Sequence, residues 1–107
     1  MYSKELLKGT LVVIILKLLS ENKRMYGYEI TQKVKQLSGN KIFIKEGSLY
    51  PALHNLKAER YVKTETINIG KRIRKYYMLT KKGEEFAQER IAELNDFIST
   101  ITYILKT

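Results

Sequence analysis

Four cations crowd one short stretch of this chain: Lys71, Arg72, Arg74 and Lys75 follow Gly70 and lead into Tyr76 and Tyr77. Such a cluster suits phosphate neutralisation, because guanidinium and ammonium groups donate charge-assisted hydrogen bonds to phosphate oxygens. On a strand, alternation puts Arg72 and Arg74 on one face and Lys71, Ile73 and Lys75 on the other, so the four do not share one target. The bland reading is a solvated edge strand guarded against pairing by its charge. Upstream, Ser48-Leu49-Tyr50-Pro51-Ala52-Leu53-His54 sets polar and aromatic groups at a helix start, and Lys57 follows one turn on. The ring and hydroxyl of Tyr50 suit a sugar-phosphate backbone or a thymine methyl, and Lys57 suits a phosphate; the alternative for Tyr50 is a core or rim aromatic. Tyr26, Tyr28 and Lys33 are further candidates for backbone phosphates, with packing the alternative for both tyrosines.

Catalytic and metal chemistry find little to work with. His54 is the one histidine and there is no cysteine, so a thiolate site is excluded and a His-based metal site lacks partners at ligand spacing. No nucleophilic triad pattern, Gly-rich phosphate loop or closely set acid pair stands in the chain. No cofactor and no enzyme activity are expected.

The elements that must position these residues are legible from patterning. A first helix is predicted over about Lys4 to Leu19, apolar on more than one side at Leu7, Leu11, Val12, Ile14, Ile15, Leu18 and Leu19. After the polar turn Glu21-Asn22-Lys23-Arg24, a second helix begins near Tyr26 or Gly27 and ends at Gly39. Ile42-Phe43-Ile44 reads as a short strand. Ser48 is the N-cap of a third helix that carries Pro51 in its first turn and runs to about Arg60, with Leu49, Leu53 and Leu56 facing the core. Val62 to Ile67 and Ile73 to Leu79 are strands joined through Asn68-Ile69-Gly70-Lys71. Thr80 caps the last helix, where Ala87, Ile91, Leu94, Ile98, Ile101 and Leu105 repeat with a 3.5-residue period and Phe97 and Ile104 widen the stripe. That period favours pairing with another helix; packing on its own domain is the alternative.

Helix, helix, helix, hairpin, helix is the order of a winged helix-turn-helix, in which one helix enters a DNA major groove and the hairpin lies beside it on the phosphates. The fold class is α+β, mostly helical. Positions 1–80 form the winged helix-turn-helix region and 81–107 the C-terminal dimerisation helix, within one compact domain. At 107 residues, with 20 Lys and Arg against 11 Asp and Glu, the net charge of +9 favours polyanions, nucleic acid before an anionic membrane. The apolar start of the chain is interrupted by Lys17, carries Glu5 among its early charges and lacks a small-residue cleavage site, so it reads as a buried helix and not a signal peptide. No stretch approaches a membrane span. A cytoplasmic chain is expected.

Four spaced motifs carry a family resemblance: Leu6-Leu7-Lys8-Gly9-Thr10-Leu11, Tyr26-Gly27-Tyr28-Glu29-Ile30, Glu46-Gly47-Ser48-Leu49-Tyr50-Pro51-Ala52-Leu53, and Arg74-Lys75-Tyr76-Tyr77 with Leu79-Thr80 and Gly83. Together they span nearly the whole chain, which resembles the PadR family of bacterial transcriptional regulators, in the smaller of its two architectural groups. The resemblance implies that Ser48, Tyr50, Pro51 and His54 face DNA. It also implies dimerisation through the last helix and the first, where Leu11 and Ile15 lie. Repression relieved by a small apolar or aromatic effector is the usual mode, with Leu94, Phe97 and Ile98 the candidate effector pocket and a packed seam without a cavity the alternative. Leu94 stands where several members have a ligand-stacking Trp, Arg60 where Gly often closes the recognition helix, Lys57 at a frequently acidic position and Thr66 at a frequent aromatic of the wing.

The expectation is a homodimeric repressor on a palindromic DNA operator, whose half-sites mirror the twofold axis of the protein. Two rivals use the same charge: a nonspecific architectural nucleic-acid-binding protein, and a peripheral membrane or protein-interaction module.

Overall fold

The computed structural model describes residues 2–107. Along the chain lie α1 (Lys4–Glu21), β1 (Met25–Tyr26), α2 (Gly27–Leu37), α3 (Glu46–Ala58), β2 (Val62–Ile69), β3 (Arg72–Leu79) and α4 (Lys81–Lys106). The sheet is antiparallel in the order β1-β3-β2, so the architecture is α+β and mostly helical. Among the described residues no helix is long and apolar enough to cross a membrane.

Each helix is delimited by local chemistry. Ser3 caps α1, its side chain accepting the Leu6 N–H at 3.4 Å, and Thr80 caps α4, its hydroxyl accepting the Gly83 N–H at 3.0 Å. Two helices close with the paired hydrogen bonds of a Schellman motif. At the end of α2, the Asn40 N–H donates to Lys35 O at 2.8 Å and the Gly39 N–H to Gln36 O at 3.2 Å. At the end of α3, Tyr61 donates to Leu56 O and Arg60 to Lys57 O, both at 2.9 Å. The left-handed residue this motif needs is Gly39 (φ 62°) in α2, followed by Asn40 (φ 67°), but Arg60 (φ 65°) in α3.

Three expectations are corrected. Ile42 to Ile44 is not a strand; the segment crosses from α2 to α3 without a ladder partner, Ile44 buried and Ile42 N–H held by the Ser38 hydroxyl at 2.9 Å. The third strand is instead Met25–Tyr26, paired to Tyr77 and Tyr76. Ser48 is not the N-cap of α3: the helix starts at Glu46 behind Lys45, whose carbonyl accepts the Ser48 N–H at 3.0 Å. Pro51 is therefore the sixth helical residue, beyond the first turn, where it leaves the carbonyl of exposed Gly47 to solvent instead of a helical donor.

One hydrophobic core joins the elements. Ile15 and Leu16 of α1, Ile30 of α2, Leu49 and Leu53 of α3 and Val62 of β2 are fully enclosed, with Tyr77 and Ala87 against them. The leucines of α3 fall on one face at helical spacing, which leaves the opposite face of that helix to water.

Candidate nucleic-acid interface

The candidate interface lies where three elements meet. On α3, the buried leucines turn Ser48, Tyr50, Pro51, His54 and Lys57 outward, all exposed. Tyr50 does more than face solvent. It is 43% exposed, yet the hydroxyl end of its ring rests on the backbone of Gly27 at the start of α2. The contact and core-rim readings of Tyr50 therefore both describe it.

Tyr26, immediately before Gly27, caps α2, and the Glu29 carboxylate accepts its N–H at 3.1 Å. Across the sheet Tyr26 opposes Tyr76, and the rings meet edge to face with centroids 5.5 Å apart. The Arg74 guanidinium lies over the Tyr26 ring at 4.0 Å, and that of Arg24 lies over Tyr76 at 4.5 Å while pairing with Glu65 at 3.4 Å. Two cations and two tyrosines thus form one continuous row on the outer face of the sheet. The neighbouring Tyr76 hydroxyl, more than any other group, holds the Arg74 guanidinium above its ordinary range. Arg24, Glu29 and Tyr76 were absent from the sequence-derived candidates, because nothing local marks them; only pairing of β1 to β3 brings them beside Tyr26 and Arg74.

The wing itself is a hairpin of two eight-residue strands closed by Gly70-Lys71. Gly70 has φ 61° and Lys71 does not share the positive value, the pattern of a II′ turn. Lys71 is consequently a tip residue and not a strand neighbour of Ile73 and Lys75. Arg72 and Arg74 lie on the Tyr76 face, and Ile73 and Lys75 on the Tyr77 face. Lys71, Arg72 and Lys75 are exposed, whereas Arg74 is half-buried by its stack. On α2, Tyr28 and Lys33 are exposed and stand apart from this row. Burial pushes the Tyr77 hydroxyl up, with the neighbouring Tyr50 adding to the shift.

The cations of α3 and of the wing tip, Lys57, Lys71, Arg72 and Lys75, are thus exposed side chains. Among the described residues, no group of three or more His, Cys, Asp and Glu is placed to hold a metal ion.

The sequence model of the transcriptional regulator PadR-like family matches residues 15–89, which carry both the helix-turn-helix and the wing. The chain belongs to the PadR-like family of transcriptional regulators. A PadR-like transcriptional regulator from Bacillus cereus is similar in structure, with TM-score 0.82 at 30% identity, the match covering 97% of this chain and 99% of that one. A transcriptional regulator from Clostridium thermocellum superposes with TM-score 0.86 at 28% identity, over 96% and 97% of the two chains. An uncharacterised protein of Lysinibacillus sphaericus is 33% identical over 96 residues, 87% of this chain and 85% of that one. The PadR-like chain is thus a transcriptional regulator and not an enzyme.

The residues proposed for dimerisation divide sharply. Ile15 and Ala87 are both 0% exposed, enclosed by their own chain, and present no surface to a partner. Leu11, Ile91 and Leu94 are half-buried. From Phe97 onward α4 leaves the body of the PadR-like fold, and Phe97, Ile98, Ile101 and Leu105 all stand exposed. Of the candidate effector residues, Leu94 borders an open groove of about 480 Å³ between α1, the end of α2 and α4, whereas Phe97 and Ile98 lie off its wall.

Proposed function

We propose that this regulator is a cytoplasmic homodimer that binds double-stranded DNA and represses by occluding a promoter. One observation carries the reading: Tyr50 of α3 rests on Gly27, and its neighbour Tyr26 carries Arg74 of the wing, so the helix that reads a major groove and the hairpin beside it converge on the start of α2. Ser48, Tyr50, Pro51 and His54 face the bases and sugars; Lys57, Tyr28, Lys33 and the wing cations Lys71, Arg72, Arg74 and Lys75 meet phosphates.

The apolar end of α4 supports the dimer. Phe97, Ile98, Ile101 and Leu105 form a row exposed in a single chain, and an exposed apolar row of this length on a helix calls for a second helix. With Leu94, Ile91 and Leu11 it makes a seam about a twofold axis, which places two α3 helices on a palindrome with half-sites about 34–36 Å, or one DNA turn, apart. An apolar or aromatic effector at Leu94, Phe97 and Ile98 relieves repression if it binds one spacing of the helices better than the other. A difference of about 1.4 kcal/mol alters DNA affinity tenfold.

The test is a titration into labelled duplex from the region upstream of the protein's own gene, with scrambled duplex as competitor, at two salt concentrations. Tight binding that survives the competitor is expected. Equal, steeply salt-dependent binding to both duplexes favours the second reading, a nonspecific architectural protein, for which the net charge of +9 speaks. No binding at either salt overturns both.

A further inference from the structure

The Tyr26–Arg74 pair joins two elements that sequence separates, the cap of α2 and the wing. A guanidinium seated over a ring engages it through its face and keeps its N–H donors at the rim. Arg74 takes no part in an ion pair among the described residues, whereas Arg24 at the other end of the row is paired with Glu65 and Arg90 of α4 with Glu93. The nearest acidic influence on Arg74, Glu29, spends a carboxylate oxygen on the Tyr26 N–H. Arg74 is thus an oriented cation with free donors and no counter-ion, set between the start of α2 and the wing tip.

Resting on the DNA-binding reading above, we propose that Tyr26 is a positioning residue whose ring holds Arg74 as a pre-formed anchor for one backbone phosphate of the bound duplex. Lys71, Arg72 and Lys75 reach phosphates on free side chains, but Arg74 has its direction set before DNA arrives. It therefore loses less conformational freedom on binding. Because the ring and not the hydroxyl of Tyr26 does the holding, phenylalanine substitutes for it. Tyr76, edge-on to Tyr26 and under Arg24, keeps that ring in place from behind.

The experiment measures affinity for the bound duplex and its salt slope in Y26F, Y26L, R74A and the Y26L/R74A pair, each checked for fold by circular dichroism. Y26F is expected to bind as the parent does. Y26L weakens binding roughly two- to fivefold while keeping the slope, because the cation persists without its support. R74A weakens binding and flattens the slope by about 0.9, one phosphate contact. The double variant binds no worse than R74A alone, since without Arg74 the ring has nothing to hold.

Additive losses in the double variant, a loss in Y26F equal to that in Y26L, or an unchanged slope in R74A each overturn the proposal. Should Y26L fail to fold, Y26F and R74A still decide it through rescue and slope. Failure of the parent protein to bind any duplex is seen before a variant is made, and it defeats the DNA reading itself.

Discussion

The hydroxyl end of the Tyr50 ring presses on the backbone of Gly27 so closely that a methyl group there would stand 2.9 Å from the ring carbon bearing the hydroxyl. The clash is with the far end of a half-exposed side chain, which can swing into solvent. Alanine also favours a helix over glycine by about 0.5–1 kcal/mol. Gly27→Ala is therefore expected to change stability by less than about 1 kcal/mol, yet weaken DNA binding because Tyr50 leaves its place. A thermal melt beside a duplex titration checks both, and unaltered affinity removes Tyr50 from the interface.

Gly83 faces the same test with the opposite outcome. A Cβ there would stand 2.8 Å from the carbonyl carbon of Tyr61, whose oxygen also accepts the Thr80 N–H at 3.0 Å. Main chain cannot swing aside, so α4 must lift from the end of α3, disturbing the Tyr61–Phe86 stack at 3.9 Å. Gly83→Ala is expected to destabilise by about 1–3 kcal/mol, read as a lowered denaturant midpoint.

Arg60 holds φ 65° at the left-handed position of a Schellman motif, where a Cβ is strained. The backbone bonds of that turn, including the Thr80 hydroxyl to Arg60 O at 2.7 Å, are indifferent to the side chain. Arg60→Gly should stabilise the chain by about 1 kcal/mol, a rise in Tm of roughly 4–8 °C in a domain of this size. A lower Tm would mean that the arginine side chain contributes a contact outweighing the strain.

Ile98 is 51% exposed in a single chain, so a charge there burdens an assembly and not the fold. Ile98→Asp is expected to give a folded monomer by light scattering and circular dichroism, with weakened operator binding. A dimer of unchanged mass would place the seam elsewhere.

Burial, and after it the nearby Tyr50, raises the Tyr77 hydroxyl above its usual value. The folded state thus keeps a proton that the unfolded state gives up first. The resulting stabilisation is whole below the unfolded value of about 10 and is lost as pH climbs through the folded one. Tyr77→Phe should blunt the fall in urea midpoint above about pH 10, and parallel curves for the two proteins would contradict the assignment.

Much of this molecule was legible in its sequence where rules reach only a few residues. Leu49, Leu53 and Leu56 declare the buried face of α3, Thr80 its capping role, and Gly70 the tight turn that puts the cations at a wing tip, because helix spacing, caps and turns are local geometry. The four-motif resemblance likewise led to the PadR-like family that the match over residues 15–89 shows. Tertiary structure decided what depends on a distant partner. A strand of two residues, Met25–Tyr26, has no periodicity to read and exists only because β3 supplies its hydrogen bonds, which is why Ile42 to Ile44, with a stronger strand composition, is not one. The same pairing gathers Arg24, Tyr26, Arg74 and Tyr76 into one row. One apolar stripe on α4 runs from enclosed Ala87 to exposed Leu105, since period gives the face of a helix but not where the body beneath it ends.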